Sequence, residues 1–145
     1  MPTVLLIDDD PESARRVSSE LEHRRLDVLR VRSLAAARPL LARGRFDLVV
    51  CNLFMPQKDG LDAVREIREH DADLPVVGLC GGPSWSGPSQ HEASEGPLAN
   101  DVVALALDLG ATAVVGAPFD WLEFARAVEA ALRGEGAPLR RTGTR

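Results

Sequence analysis

Apolar positions along the chain switch repeatedly between two periods. Val4 to Ile7 is an unbroken apolar run, the mark of a strand buried on both faces. It stops at three acids, Asp8, Asp9 and Asp10. Pro11 suits a first helical turn. Ala14, Val17, Leu21 and Leu26 then carry an apolar stripe through a charged helix over 11–25. Leu26 to Val31 alternates in part and predicts an edge strand. Ser33 predicts an N-cap for a helix over Leu34–Arg43, which Pro39 should kink or shorten and Gly44 should stop. Phe46–Leu53 reads as a second buried strand, and Met55, Pro56 and Gln57 open a loop. Asp59-Gly60 reads as a turn pair before a helix over 60–70, whose Leu61, Val64 and Ile67 face a core. Pro75–Leu79 is a fourth strand. Residues 81–97 break the pattern: eleven of these seventeen are Gly, Pro or Ser, which predicts a loop. Leu98–Leu109 is a strongly apolar helix closed by Gly110, and Thr112–Gly116 is a fifth strand. Trp121–Leu132 is a last amphipathic helix, with Phe124, Ala125, Val128, Leu132 and either Trp121 or Leu122 inward.

Strand and helix thus alternate five times. That order predicts an α/β fold: a doubly wound five-stranded parallel sheet, order 2-1-3-4-5, with helices on both faces. Ligands of such sheets bind at the carboxyl ends of the strands, near the switch between strands one and three. The rule selects Asp8, Asp9 and Asp10 after strand one, Asn52 after strand three, Cys80 after strand four, and Ala117-Pro118 after strand five.

Composition narrows the field. The chain has 145 residues, 45% hydrophobic and 27% charged, which fits one globular domain over 1–133 and a short basic tail over 134–145. A net charge of −5, aromatics at 4% and no Tyr argue against a nucleic-acid platform. Three arginines in the tail, Arg140, Arg141 and Arg145, are too few to reverse that. Two cysteines make no disulfide framework, and no apolar run approaches a membrane span or a signal-peptide core. A reducing cytoplasm is the expected setting.

At the carboxyl edge the sequence resembles the CheY-like receiver domain of bacterial two-component response regulators. Four stretches in the family's order carry this: LLIDDD, FDLVVCNLFMPQKDG, PVVGLCG and GATAVVGAPFDWLEF. The resemblance implies an Asp nucleophile at the end of strand three, a Mg²⁺ held by carboxylates, a Ser or Thr hydroxyl from strand four and a Lys from strand five. Here those positions are Asn52, Cys80 and Ala117, and the aromatic switch position is Val114. An amide forms no acyl phosphate, a thiol is a weak donor, and alanine brings no cation. Of the family's parts only the acidic pair Asp8 and Asp9 is kept. The implied function is that of an atypical receiver: not an enzyme, stand-alone because the chain stops soon after its last helix, and acting through a protein partner such as a histidine kinase. Two rival readings are a phosphorelay receiver phosphorylated at another residue and a small-ligand sensor using the vacated pocket.

Several features allow a sharp and a plain reading. Asp8, Asp9, the Asn52 amide carbonyl and the Phe54 main-chain carbonyl would make a weak Mg²⁺ site, or the acids are solvated relics near helix amino ends. Strand alternation points Cys51 into the core. Cys80 is expected to be more exposed, with helix amino ends lowering its pKa. In the 81–97 loop Trp85 is a lid or a partner anchor, and His91 is solvated or a ligand, unless the loop is a plain insertion. The apolar helix 98–109 suits either a homodimer contact or cover by that loop.

Overall fold

The computed structural model of the chain describes residues 1–55, 59–83, 97–116 and 118–134, and the side chains of all of these except 97–100. Pro56, Gln57, Trp85, His91, Ala117 and the tail arginines lie outside the described residues. Strands β1 (Thr3–Ile7), β2 (Asp27–Val31), β3 (Leu48–Asn52), β4 (Val76–Leu79) and β5 (Ala113–Val115) alternate with helices α1 (Pro11–His23), α2 (Leu34–Arg43), α3 (Asp59–His70), α4 (Pro97–Leu109) and α5 (Trp121–Leu132). Every pairing is parallel, and the order is β2-β1-β3-β4-β5, as the alternation predicts.

Side-chain alternation divides the core between the two faces of the sheet. Leu5, Ile7, Val49, Cys51 and Val76 pack with residues of α2, α3 and α4, including Ala37, Val64 and Ala106. Val4, Leu6, Val50, Val77 and Leu79 pack with α1 and α5 through Val17, Leu21, Phe124 and Val128. Because both faces are covered, all five residues of β3 are buried. That is why the run is apolar without a break.

Side-chain caps start the helices. Asp10 Oδ1 accepts from Glu12 N at 3.1 Å, Ser33 Oγ from Ala36 N at 3.1 Å, and Asp120 Oδ1 from Leu122 N at 2.9 Å. Helix α1 ends before the predicted 25, because Arg25 takes φ 66° and turns Leu26 back into the core. Pro39 does not shorten α2, which spans the predicted Leu34–Arg43. Pro39 and Ala35 are both exposed, so water can solvate the carbonyl that the missing N–H leaves free. Asp59 and Gly60 are the first residues of α3 rather than a turn. Asp59 Oδ2 accepts from Leu34 N at 3.2 Å and so serves the amino end of α2.

In α5, Trp121 packs inward against Phe119 and Phe124 while Leu122 is 58% exposed. In α4, Val102 and Ala106 are buried and Leu105 is 48% exposed; Leu98 lies outside the described side chains. Among the described residues no helix is long and apolar enough to cross a membrane.

Candidate functional site

Ile7 is in register with Cys51, which sets the residues that follow them, Asp8 and Asn52, side by side at the carboxyl edge. Both are buried. Asn52 Nδ2 donates to Asp8 Oδ1 at 3.1 Å, and Asn52 Oδ1 accepts from Phe54 N at 2.9 Å. An amide has one donor end and one acceptor end, so these two bonds fix which way it faces. Asp10 N also donates to Asp8 Oδ1, at 3.0 Å. From β2, Arg30 donates through Nε and Nη2 to the Asp8 main-chain oxygen at 3.0 and 2.9 Å. The backbone at the end of β1 is therefore clamped by a planar guanidinium.

Burial pushes the Asp8 carboxyl above its ordinary range. The Asp10 N–H, the Asn52 amide and the nearby Ser13 hydroxyl pull it part of the way back, and the charge of Asp9 pushes it up again. Asp8 Oδ2 and Ser13 Oγ are both buried, and neither makes a hydrogen bond of good geometry.

This arrangement does not fit the Mg²⁺ site suggested at Asp8, Asp9, Asn52 and Phe54. A divalent cation needs several oxygens turned toward it. The acceptor end of Asn52 is engaged by Phe54 N, its donor end faces Asp8, and Asp8 Oδ1 already holds two donors. Asp9 is exposed. Only Asp8 Oδ2 remains among the buried side-chain oxygens of that set. No cluster of three or more His, Cys, Asp or Glu able to hold a metal occurs among the described residues.

Cys80 also departs from expectation. It is 1% exposed and belongs to the core on the α2–α4 face, away from the Asp8–Asn52 pair. Burial, reinforced by the charge of Glu123, pushes its thiol up to about 11. Cys51 is buried in β3, as alternation predicts, and its thiol is pushed up as well. Thiols held protonated and dry are poor nucleophiles. In the folded protein at pH 7.5, Ellman's reagent is expected to label both cysteines more than about a hundredfold slower than in the unfolded chain. Rapid labelling of either under native conditions would contradict this. Val114 lies partly buried against the α2–α4 core.

Sequence reasoning missed Ser13, Gly82 and Arg30 as parts of this site. Ser13 carried a signal, since it stands four and eight residues before Val17 and Leu21 on the buried stripe of α1. The other two meet the site only through the tertiary fold.

The response regulator receiver domain model matches residues 4–83, more than half of the chain. The response regulator protein PilR of Pseudomonas aeruginosa is 34% identical over 73 residues, covering 50% of this chain and 16% of that protein. The uncharacterized transcriptional regulatory protein YkoG of Bacillus subtilis is 27% identical over 141 residues, covering 97% of this chain and 55% of that protein. The chain thus spans little more than half of such relatives at most. A CheY-like receiver domain protein from Methanospirillum hungatei superposes with a TM-score of 0.74 at 13% identity, covering 93% of this chain and 96% of that one. A receiver domain protein from Clostridium thermocellum gives 0.73 at 24%, covering 92% and 95%. At those identities the likeness shows the fold alone. The sequence match itself runs through Asp8, Asn52 and Cys80, and with it the chain belongs to the response regulator receiver domain family of two-component signalling.

Proposed function

We propose that this receiver domain passes its signal by contact with another protein, with no phosphoryl transfer at position 52 and no catalysis of its own. One observation carries the reading: the residue where the family resemblance requires a nucleophilic carboxylate is Asn52, and its amide is engaged at both ends, by Asp8 and by the Phe54 N–H. An amide so held offers no oxygen nucleophile and no charge for a metal. The partner is a histidine kinase or another signalling protein. A contact between two copies of the chain would run over α4, where Leu105 is exposed.

Acetyl phosphate with Mg²⁺ tests the proposal. The wild-type chain is expected to keep its intact mass after incubation, and a receiver with an Asp at this position serves as the positive control. Addition of one phosphoryl group to wild type, labile as an acyl phosphate is, would overturn it. If peptide mapping instead placed a stable phosphate on another residue, the contact-only reading would fail as well.

A further inference from the structure

Gly81, Gly82 and Pro83 follow Cys80 at the carboxyl end of β4, and Gly82 lies beside Asp8 and Ser13. Gly81 takes φ +83°, a left-handed turn that favours glycine. Gly82 then presses on the floor of the site. A Cβ at Gly82 would lie 1.7 Å from Ser13 Oγ and 2.9 Å from Ser13 Cβ, so a side chain there must displace Ser13. Gly81 and Gly82 are both buried, although the run reads as polar loop. The next residue is tied down: Arg16 Nη1 donates to the Pro83 carbonyl at 3.4 Å. The same guanidinium lies 5.8 Å from the centroid of the Trp121 ring, which packs with Phe119 and Phe124. One side chain of α1 thereby links the turn over the site to the aromatic cluster at the start of α5.

We infer that Gly81, Gly82 and Pro83 form a built-in cover of the Asp8–Asn52 pocket, and that Arg16 is its latch. With the cover closed Asp8 is 0% exposed, and Cys80, the residue that leads into the cover, is 1% exposed. It separates Asp8 from Asp9, which stays at the surface. A partner that takes Arg16 away from Pro83, through an anionic group on the α1–α5 side, opens the pocket without touching it. The inference does not depend on the chemistry of Asn52. Phosphate on the wild-type chain would leave it standing, and failure of the experiment below would leave the absence of phosphorylation untouched.

Pulsed N-ethylmaleimide labelling of the full chain at pH 8, followed by peptide mapping, reads the cover directly. Cys80, directly before Gly81 in the chain, reports local opening of the cover segment, and Cys51, deep in β3, reports global unfolding. Arg16→Ala is expected to speed labelling of Cys80 about fivefold, in line with loss of one modest hydrogen bond, and to leave Cys51 unchanged. Gly82→Ala, which wedges a methyl against Ser13, is expected to speed Cys80 tenfold or more. Arg15→Ala, beside the latch and without a contact to Pro83, should match wild type. Equal Cys80 rates in Arg16→Ala and Arg15→Ala would overturn the inference. So would a parallel acceleration of Cys51 in Arg16→Ala, since that is unfolding rather than opening.

Discussion

Replacing Asn52 by Asp is expected to lower the melting temperature of the metal-free protein by about 10 °C at pH 8. The substitution is nearly isosteric but reverses one interaction. In wild type the Asn52 Nδ2 gives Asp8 a hydrogen bond at 3.1 Å. In N52D a carboxylate oxygen faces another carboxylate oxygen across that gap, in a site from which water is excluded. Losing the donor and gaining a buried like-charge contact together cost about 3 kcal/mol. For a domain of this size that corresponds to about 3 °C per kcal/mol.

The pH dependence identifies the cause. Asp8 is already raised from 3.8 by burial, and a second carboxylate raises the pair further. A carboxyl whose folded pKa lies above its unfolded value gives its stability below the unfolded value and loses it as pH rises through the folded one. The loss in N52D is therefore small in acid and grows toward neutrality. Asn52→Ala, which removes the bond without adding charge, should show a smaller growth, since it only takes from Asp8 a donor that favours its charged form. Millimolar Mg²⁺ should recover most of the N52D loss, because three carboxylates then surround one edge of the sheet. It should do little for wild type. A pH-independent loss, or equal Mg²⁺ stabilisation of both proteins, would sink this account. N52D is not expected to regain a phosphate-driven rearrangement around Val114, since the position that carries the family's Lys holds Ala117.

The sheet was legible because parallel strands covered on both faces must be apolar throughout. Val4–Ile7 and Leu48–Cys51 have no exposed side to fill with polar residues. The same topology located Asp8 and Asn52, because the ligand edge of such a sheet is set by strand direction alone. What stayed hidden depends on contacts between distant segments. Cys80 follows a strand and precedes a Gly-rich run, which suggests exposure. In the fold it falls in step with Val76 and Gly78, on the face that α3 and α4 cover. Arg30 belongs to an edge strand whose pattern shows only partial burial, and nothing local says that its guanidinium reaches the Asp8 carbonyl. The orientation of Asn52 likewise depends on Asp8, far away in the chain, as well as on its local turn to Phe54 N.

Gly60 gives the second large effect. Asp-Gly is a strong turn signal in isolation, yet here the pair opens α3. Glycine is required by a close approach between backbones rather than by its φ. A Cβ at Gly60 would lie 2.4 Å from the Asn52 carbonyl oxygen and 2.5 Å from the Leu53 Cα. Both are main-chain atoms at the end of β3, so no side chain can swing aside to make room. Either the first turn of α3 moves away from the sheet or the end of β3 shifts. The first breaks the packing of Ala63 and Val64 against the core, and the second displaces the Asn52 amide from Asp8. Gly60→Ala is expected to cost about 3 kcal/mol or more despite the better helix propensity of alanine, which is worth only about 1 kcal/mol in the opposite direction. Chemical denaturation should show the midpoint falling with little change in slope. The exposed Asp73→Ala is a control for surface change. A Gly60→Ala protein as stable as wild type would mean that α3 does not press on the end of β3. The Asn52–Phe54 turn would then owe its shape to its own hydrogen bonds alone.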